Sequence, residues 1–187
     1  MKISKKKAVF SILASLVISN FSYADDDVTP LAPVTVNGGK VTFNGEVTSG
    51  ACAVSGTDTD KIVTLDTVRA ATFTAADQPG NAKKAFDISL VDCDSATRKT
   101  VQVTFGGQAI DGYPNLLANT AGAGAAKNVG LQLFGPDGAV LNLGELSSKV
   151  NLSEATTIPL SVDYMSTAAS VTAGKVQSVA NFQLTYN

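Results

Sequence analysis

The sequence predicts an all-β fold, two sheets packed as a sandwich, on three observations. Apolar residues alternate with polar ones, or gather in short β-branched runs, in about eight segments, as strands with one face in a core require. Turn-forming clusters separate these segments, at TSGA (48–51), QPGN (78–81), FGGQ (105–108) and GPDG (135–138). No stretch combines a 3.6-residue apolar period with helix caps. At 187 residues, 44% hydrophobic and 16% charged, the chain can bury a substantial core.

The elements follow in order. Lys2, Lys5, Lys6 and Lys7 precede the apolar run AVFSILASLVIS, and Ser22-Tyr23-Ala24 offers the small residues that a signal peptidase reads. Residues 1–24 are therefore expected to be a cleaved signal peptide, since the apolar run is about half the length of a permanent membrane span. Residues 25–39, DDDVTPLAPVTVNGG, carry two prolines, which exclude a central strand with full pairing. They then alternate Val34 and Val36 against Thr35 and Asn37, and end in a Gly-Gly hinge. This pattern suits either a frayed tail or an extended arm that pairs with a sheet edge elsewhere.

From residue 40 onward the predicted strands are KVTFNGEV (40–47), KIVTLD (61–66), AFDISLVDC (85–93), KTVQVTF (99–105), VGLQLF (129–134), AVLNL (139–143), TTIPLSVDYM (156–165) and KVQSVANFQLTYN (175–187). TAGAGAAKN (120–128) reads as a loop. In the last segment Ala180, Phe182, Leu184 and Tyr186 share one face, and the sequence stops one residue later. A well-patterned terminal strand with an apolar face needs something to cover its outer edge.

Charge and residue types narrow the function. Without the signal the chain has ten basic and sixteen acidic residues, a net charge of −6. It lacks a basic patch or an aromatic platform, which argues against nucleic acid. The absence of His removes Ser-His-Asp and Cys-His catalysis, and no cofactor is implied. Carboxylate catalysis would have to rest on Asp58/Asp60 or Asp92/Asp94, and both pairs read as solvated or turn-forming. Cys52 and Cys93 could form a disulfide, a free reactive pair or half a zinc site. Zinc would want two more Cys or His ligands, whereas an oxidising compartment favours the disulfide. Closing a loop of about 42 residues, that bond contributes roughly 4 kcal/mol on the chain-entropy estimate.

Four motifs together carry a family resemblance: VNGGKVTFNGEVTSGACAVS (36–55), LVDCD (90–94), the ordered blocks GGQAID, NVGLQLF and TIPLSVDYM, and a C-terminus with Gly174 fourteenth from the end and penultimate Tyr186. The chain resembles a major pilin of the chaperone–usher class, close to the type 1 fimbrial major subunit.

The resemblance implies an immunoglobulin-like sandwich, residues 40–187, that lacks its last strand and is completed by a donor strand from another subunit. It implies a structural, non-enzymatic role in a surface fimbrium that supports adhesion. The partners are further copies of the same pilin in a helical homopolymer, a periplasmic chaperone, an outer-membrane usher, and minor or tip pilins. Carried onto this sequence, the acceptor groove and chaperone-binding strand is 174–187, with Gly174, Val176, Ala180, Phe182, Leu184 and Tyr186. The donor strand is 25–39, with Val28, Leu31, Ala32, Val34, Val36 and Gly38. A minor adaptor or adhesive pilin of the same assembly is the alternative.

Overall fold

The computed structural model describes residues 39–42 and 50–187. The chain divides into two compact units, Met1–Asn44 and Gly45–Asn187. Of the first only Gly39, Lys40, Val41 and Thr42 are described, all exposed. The predicted signal peptide, the donor-strand residues Val28 to Gly38, and most of the KVTFNGEV strand lie outside the described residues.

The second unit is all-β. Its strands are β1 (Ala53–Val54), β2 (Lys84–Val91), β3 (Thr100–Gly107), β4 (Ala109–Ile110), β5 (Tyr113–Ala118), β6 (Val129–Phe134), β7 (Val140–Leu141), β8 (Val150–Asn151), β9 (Thr156–Ser166) and β10 (Ala180–Tyr186). A single 3-10 turn, Ala70–Thr72, is the only helical segment among the described residues. No helix there is long and apolar enough to cross a membrane.

Alternation builds two antiparallel sheets. The larger runs β1-β2-β9-β6-β5-β4, with β7 added to β6, and the smaller runs β10-β3-β8. Each strand turns its apolar face inward: Ile88 and Leu90 of β2, Leu131 and Leu133 of β6, and Ile158, Leu160 and Val162 of β9 meet Val101, Val103 and Phe105 of β3 in one buried cluster. Phe105 packs edge-on against Phe86 of β2, with ring centroids 6.4 Å apart, and so ties the sheets together. Pro159 fits mid-strand in β9 because it lies opposite Asp87 in the register. Antiparallel pairs alternate between those that exchange hydrogen bonds and those that do not. The Asp87 carbonyl indeed turns away, to the Lys61 ammonium.

Several sequence expectations change. KIVTLD is extended and alternates half-buried Lys61, Val63 and Leu65 with exposed Ile62, Thr64 and Asp66, yet it joins no sheet ladder. AVLNL shrinks to the two residues of β7, closed by the GPDG turn in which the Gly138 N–H donates to the Gly135 carbonyl at 2.9 Å. FGGQ is not a turn: Phe105, Gly106 and Gly107 end β3 and pair with β10, and Gln108 alone separates them from β4 in the large sheet. YPNLLA forms β5, unforeseen because Pro114 and the adjacent Leu116 and Leu117 break the period-2 pattern. TAGAGAAKN is a loop, with Gly122 and Gly124 at positive φ.

Candidate strand-accepting groove

The edges of the two sheets are unequal. β1, β4 and β8 end their sheets with two residues each, short enough to give a neighbouring chain little to pair with. Among the described residues β10 also ends its sheet but is seven residues long, and it contains no proline and no charge. Its inner edge pairs with β3 from Ala180↔Gly107 to Tyr186↔Val101. Long, flat, uncharged edges are what sheets ordinarily avoid.

The inward face of β10 is also incompletely covered. In register, Phe182 lies beside Phe105, Leu184 beside Val103 and Tyr186 beside Val101. The three β3 residues are 4%, 0% and 0% exposed, whereas Ala180, Phe182, Leu184 and Tyr186 are only half-buried. All four nevertheless pack against the core cluster. Phe182 continues the aromatic row, its ring centroid 6.2 Å from that of Phe105. Burial pushes the Tyr186 phenol above its ordinary pKa, while contact with the Cys52 backbone opposes this. That contact sets Tyr186 beside the disulfide, which joins Cys52 to Cys93.

The predicted acceptor segment divides in two. Ladder pairing begins at Ala180; residues 174–179 instead bond to the 118–126 loop. The Lys175 N–H donates to the Gly124 carbonyl and the Ala126 N–H to the Lys175 carbonyl, both at 2.9 Å. Here Gly174 is required by space, since an added Cβ would come within 2.5 Å of the Ala126 nitrogen. Val176 is half-buried and, with Gly174, lines a cleft of about 330 Å³. The same cleft is also lined by Thr67, Val68, Ala70 and Phe73.

Those last residues continue the KIVTLD segment, which forms a second lip that the sequence pattern did not reveal. Val63 and Leu65 pack against the same core cluster as Phe182 and Leu184. Asp58 lies in a turn, as expected, its N–H donating to the Ser55 carbonyl, but it is buried at 3% exposure rather than solvated. Its carboxylate lies 2.8 Å from the Lys61 ammonium and accepts the Ser89 N–H at 2.6 Å. The bond to Lys61 is the main reason its pKa is lowered, with the Ser89 N–H next, against the cost of burial. Asp94 does form a turn, accepting the Ala96 and Thr97 N–H groups. Among the described residues no cluster of His, Cys, Asp and Glu could hold a metal ion.

The family model for Fimbrial protein matches residues 41–187. The chain belongs to the fimbrial protein family. It is 38% identical to the type-1 fimbrial protein, A chain, of Escherichia coli K12, over 93% of this chain and 97% of that one. Among solved structures it is similar to a chaperone–usher pilus, with a TM-score of 0.65 and 27% identity over 83% of this chain and all of the other. The P pilus rod subunit PapA shares the fold, with a TM-score of 0.62 over 74% of this chain at 21% identity. The fimbrial chain described here is thus an immunoglobulin-like sandwich without its final strand, and a structural subunit rather than an enzyme. Among the described residues β10 is the one long strand that ends a sheet.

Proposed function

We propose that this chain is the repeating subunit of a fimbrial shaft, and that its groove is filled first by a strand of a periplasmic chaperone. At the outer-membrane usher the arm of the next subunit replaces that strand. The signal peptide 1–24 directs export, residues 25–39 are the arm, and residues 40–187 form the domain that accepts an arm. Val34 and Val36, with Val28, Leu31 and Ala32 further out, enter the groove, and Gly38 leaves room where the arm lies closest. Minor or tip pilins complete the extracellular fibre, which supports adhesion.

The observation that carries this reading is the contrast within one register: Val101, Val103 and Phe105 fully covered, and Tyr186, Leu184 and Phe182 beside them half open. An extended segment satisfies both needs of such an edge, hydrogen-bonding its backbone and covering its apolar side chains. Fifteen extended residues reach about 50 Å, enough to run the length of a domain. A head-to-tail contact that does not close generates a helical filament.

The test uses Phe182→Asp and Tyr186→Asp. Each leaves a charge in an apolar slot, so chaperone complex yield and fibre assembly should fall together. A variant that binds chaperone poorly but polymerises normally would show that the two partners use different sites. Mass spectrometry of sheared filaments should find this chain as the dominant band; a trace amount would make it a minor adaptor.

A further inference from the structure

Residues 60–68 run beside the outer edge of β2, yet none of them shares a backbone–backbone hydrogen bond with another described residue. A cleft of about 330 Å³ lies between the two, lined by Lys61, Ile62, Val63, Lys84, Phe86 and Asp87 among others. Side chains bridge it instead. The Lys61 ammonium is 2.8 Å from Asp58 Oδ1, donates to the Asp87 carbonyl at 2.5 Å, and is 3.3 Å from Asp87 Oδ1. Asp58 Oδ2 accepts the Ser89 N–H at 2.6 Å. Further along, Lys84 is 3.3 Å from Asp66, and the Tyr164 hydroxyl donates to the Asp66 carbonyl at 3.0 Å.

Two groups that an antiparallel neighbour of β2 would bond, the Ser89 N–H and the Asp87 carbonyl, are thus occupied by a carboxylate and an ammonium. This has two consequences. Charged side chains close the β2 edge to strand addition. The lip stays anchored to the sandwich without committing its own backbone to β2. Of the three ion pairs, Lys61–Asp58 is the best shielded, with side chains 26% and 4% exposed, against 39% and 67% for Lys84–Asp66.

We infer that Asp58 and Lys61 are positioning residues for strand acceptance, holding the 60–68 lip at the width that admits an extended arm of another copy while denying that arm the edge of β2. The inference rests on the donor-strand reading above. A lip fixed in advance need not be ordered when the arm arrives, so preorganisation contributes to affinity.

The experiment follows a fluorescently labelled peptide of residues 25–39 binding to the mature chain by anisotropy, with backbone order parameters from NMR relaxation read over residues 60–68. Lys61→Met keeps the aliphatic stem and removes the charge, and Asp58→Asn keeps an acceptor for Ser89. Both should bind the peptide about tenfold more weakly through lost preorganisation, with lowered order parameters confined to the lip. Lys61→Arg should stay within about twofold of wild type, and Lys84→Met, at an exposed pair, should do the same. If either charge-removing variant keeps its melting temperature and binds within that twofold range, the positioning role is overturned. Should the wild-type chain itself bind no peptide, the donor-strand reading fails and this inference falls with it.

Discussion

A buried carboxylate is expensive unless it is paired, and Asp58 is paired twice, with the Lys61 ammonium and the Ser89 N–H. These partners hold its pKa below the ordinary carboxylate value. In the unfolded chain it titrates at about 3.9. Because the folded value is the lower one, Asp58 contributes stability above the unfolded value and loses it as the pH falls through the folded one. Urea midpoints measured from pH 7 to pH 2.5 should therefore drop more steeply below about pH 4 for the wild type than for Asp58→Asn; parallel curves would show that the carboxylate is not held in its charged form. The residue types that matter here were visible in the sequence, but their geometry was not. Asp58 and Asp94 look alike beside Thr and Ser; only the chain path around 55–61 places one against Ser89 and leaves the other in a surface turn. Gly174 was legible as a family signature, whereas its reason, contact with the Ala126 backbone, comes from a loop fifty residues away.

At the scale of strands, β3 and β10 have the same alternation and opposite completeness. β3 is flanked on both sides, and its inward residues are covered. Among the described residues β10 has one flank, and its inward residues are half open. Truncating a fully buried Leu to Ala ordinarily costs about 2–5 kcal/mol. Leu184→Ala should cost less than that range in the monomer, because part of the side chain is already in water. With an arm peptide bound, the same substitution should cost more, since the peptide completes its burial. Urea titration of wild type and variant, with and without peptide, measures the difference; equal costs in both states would mean that the peptide does not cover Leu184. The strands β2, β3, β6, β9 and β10 were readable because alternation or a β-branched run marks them directly. β1, β4 and β8, two residues each, leave no periodic signal, and β5 is broken by Pro114. The segment 61–66 shows where alternation misleads: it reports which side chains face a core, not whether the backbone beside them has a partner.

For the whole molecule the decisive feature is an imbalance: a closed core under β3 and an open one under β10, with every other sheet end among the described residues cut to two residues. A monomer built this way has marginal reason to stay alone. The sequence made the all-β class and the family legible, because turn clusters, two cysteines and the C-terminal pattern are local features. That pattern and the family resemblance pointed to an uncovered C-terminal strand, but not to how far each side chain is exposed, which depends on what the rest of the chain leaves uncovered. Ligands that bind only the folded state stabilise it by RT ln(1 + [L]/Kd), so its melting temperature rises with ligand concentration. The most direct measurement is therefore circular dichroism melting of the chaperone-free chain lacking residues 25–37, alone and with a peptide of residues 25–39. The donor-strand account predicts a folded but weakened monomer whose melting temperature climbs with peptide concentration; a truncated chain that melts at the same temperature with and without the peptide would contradict it.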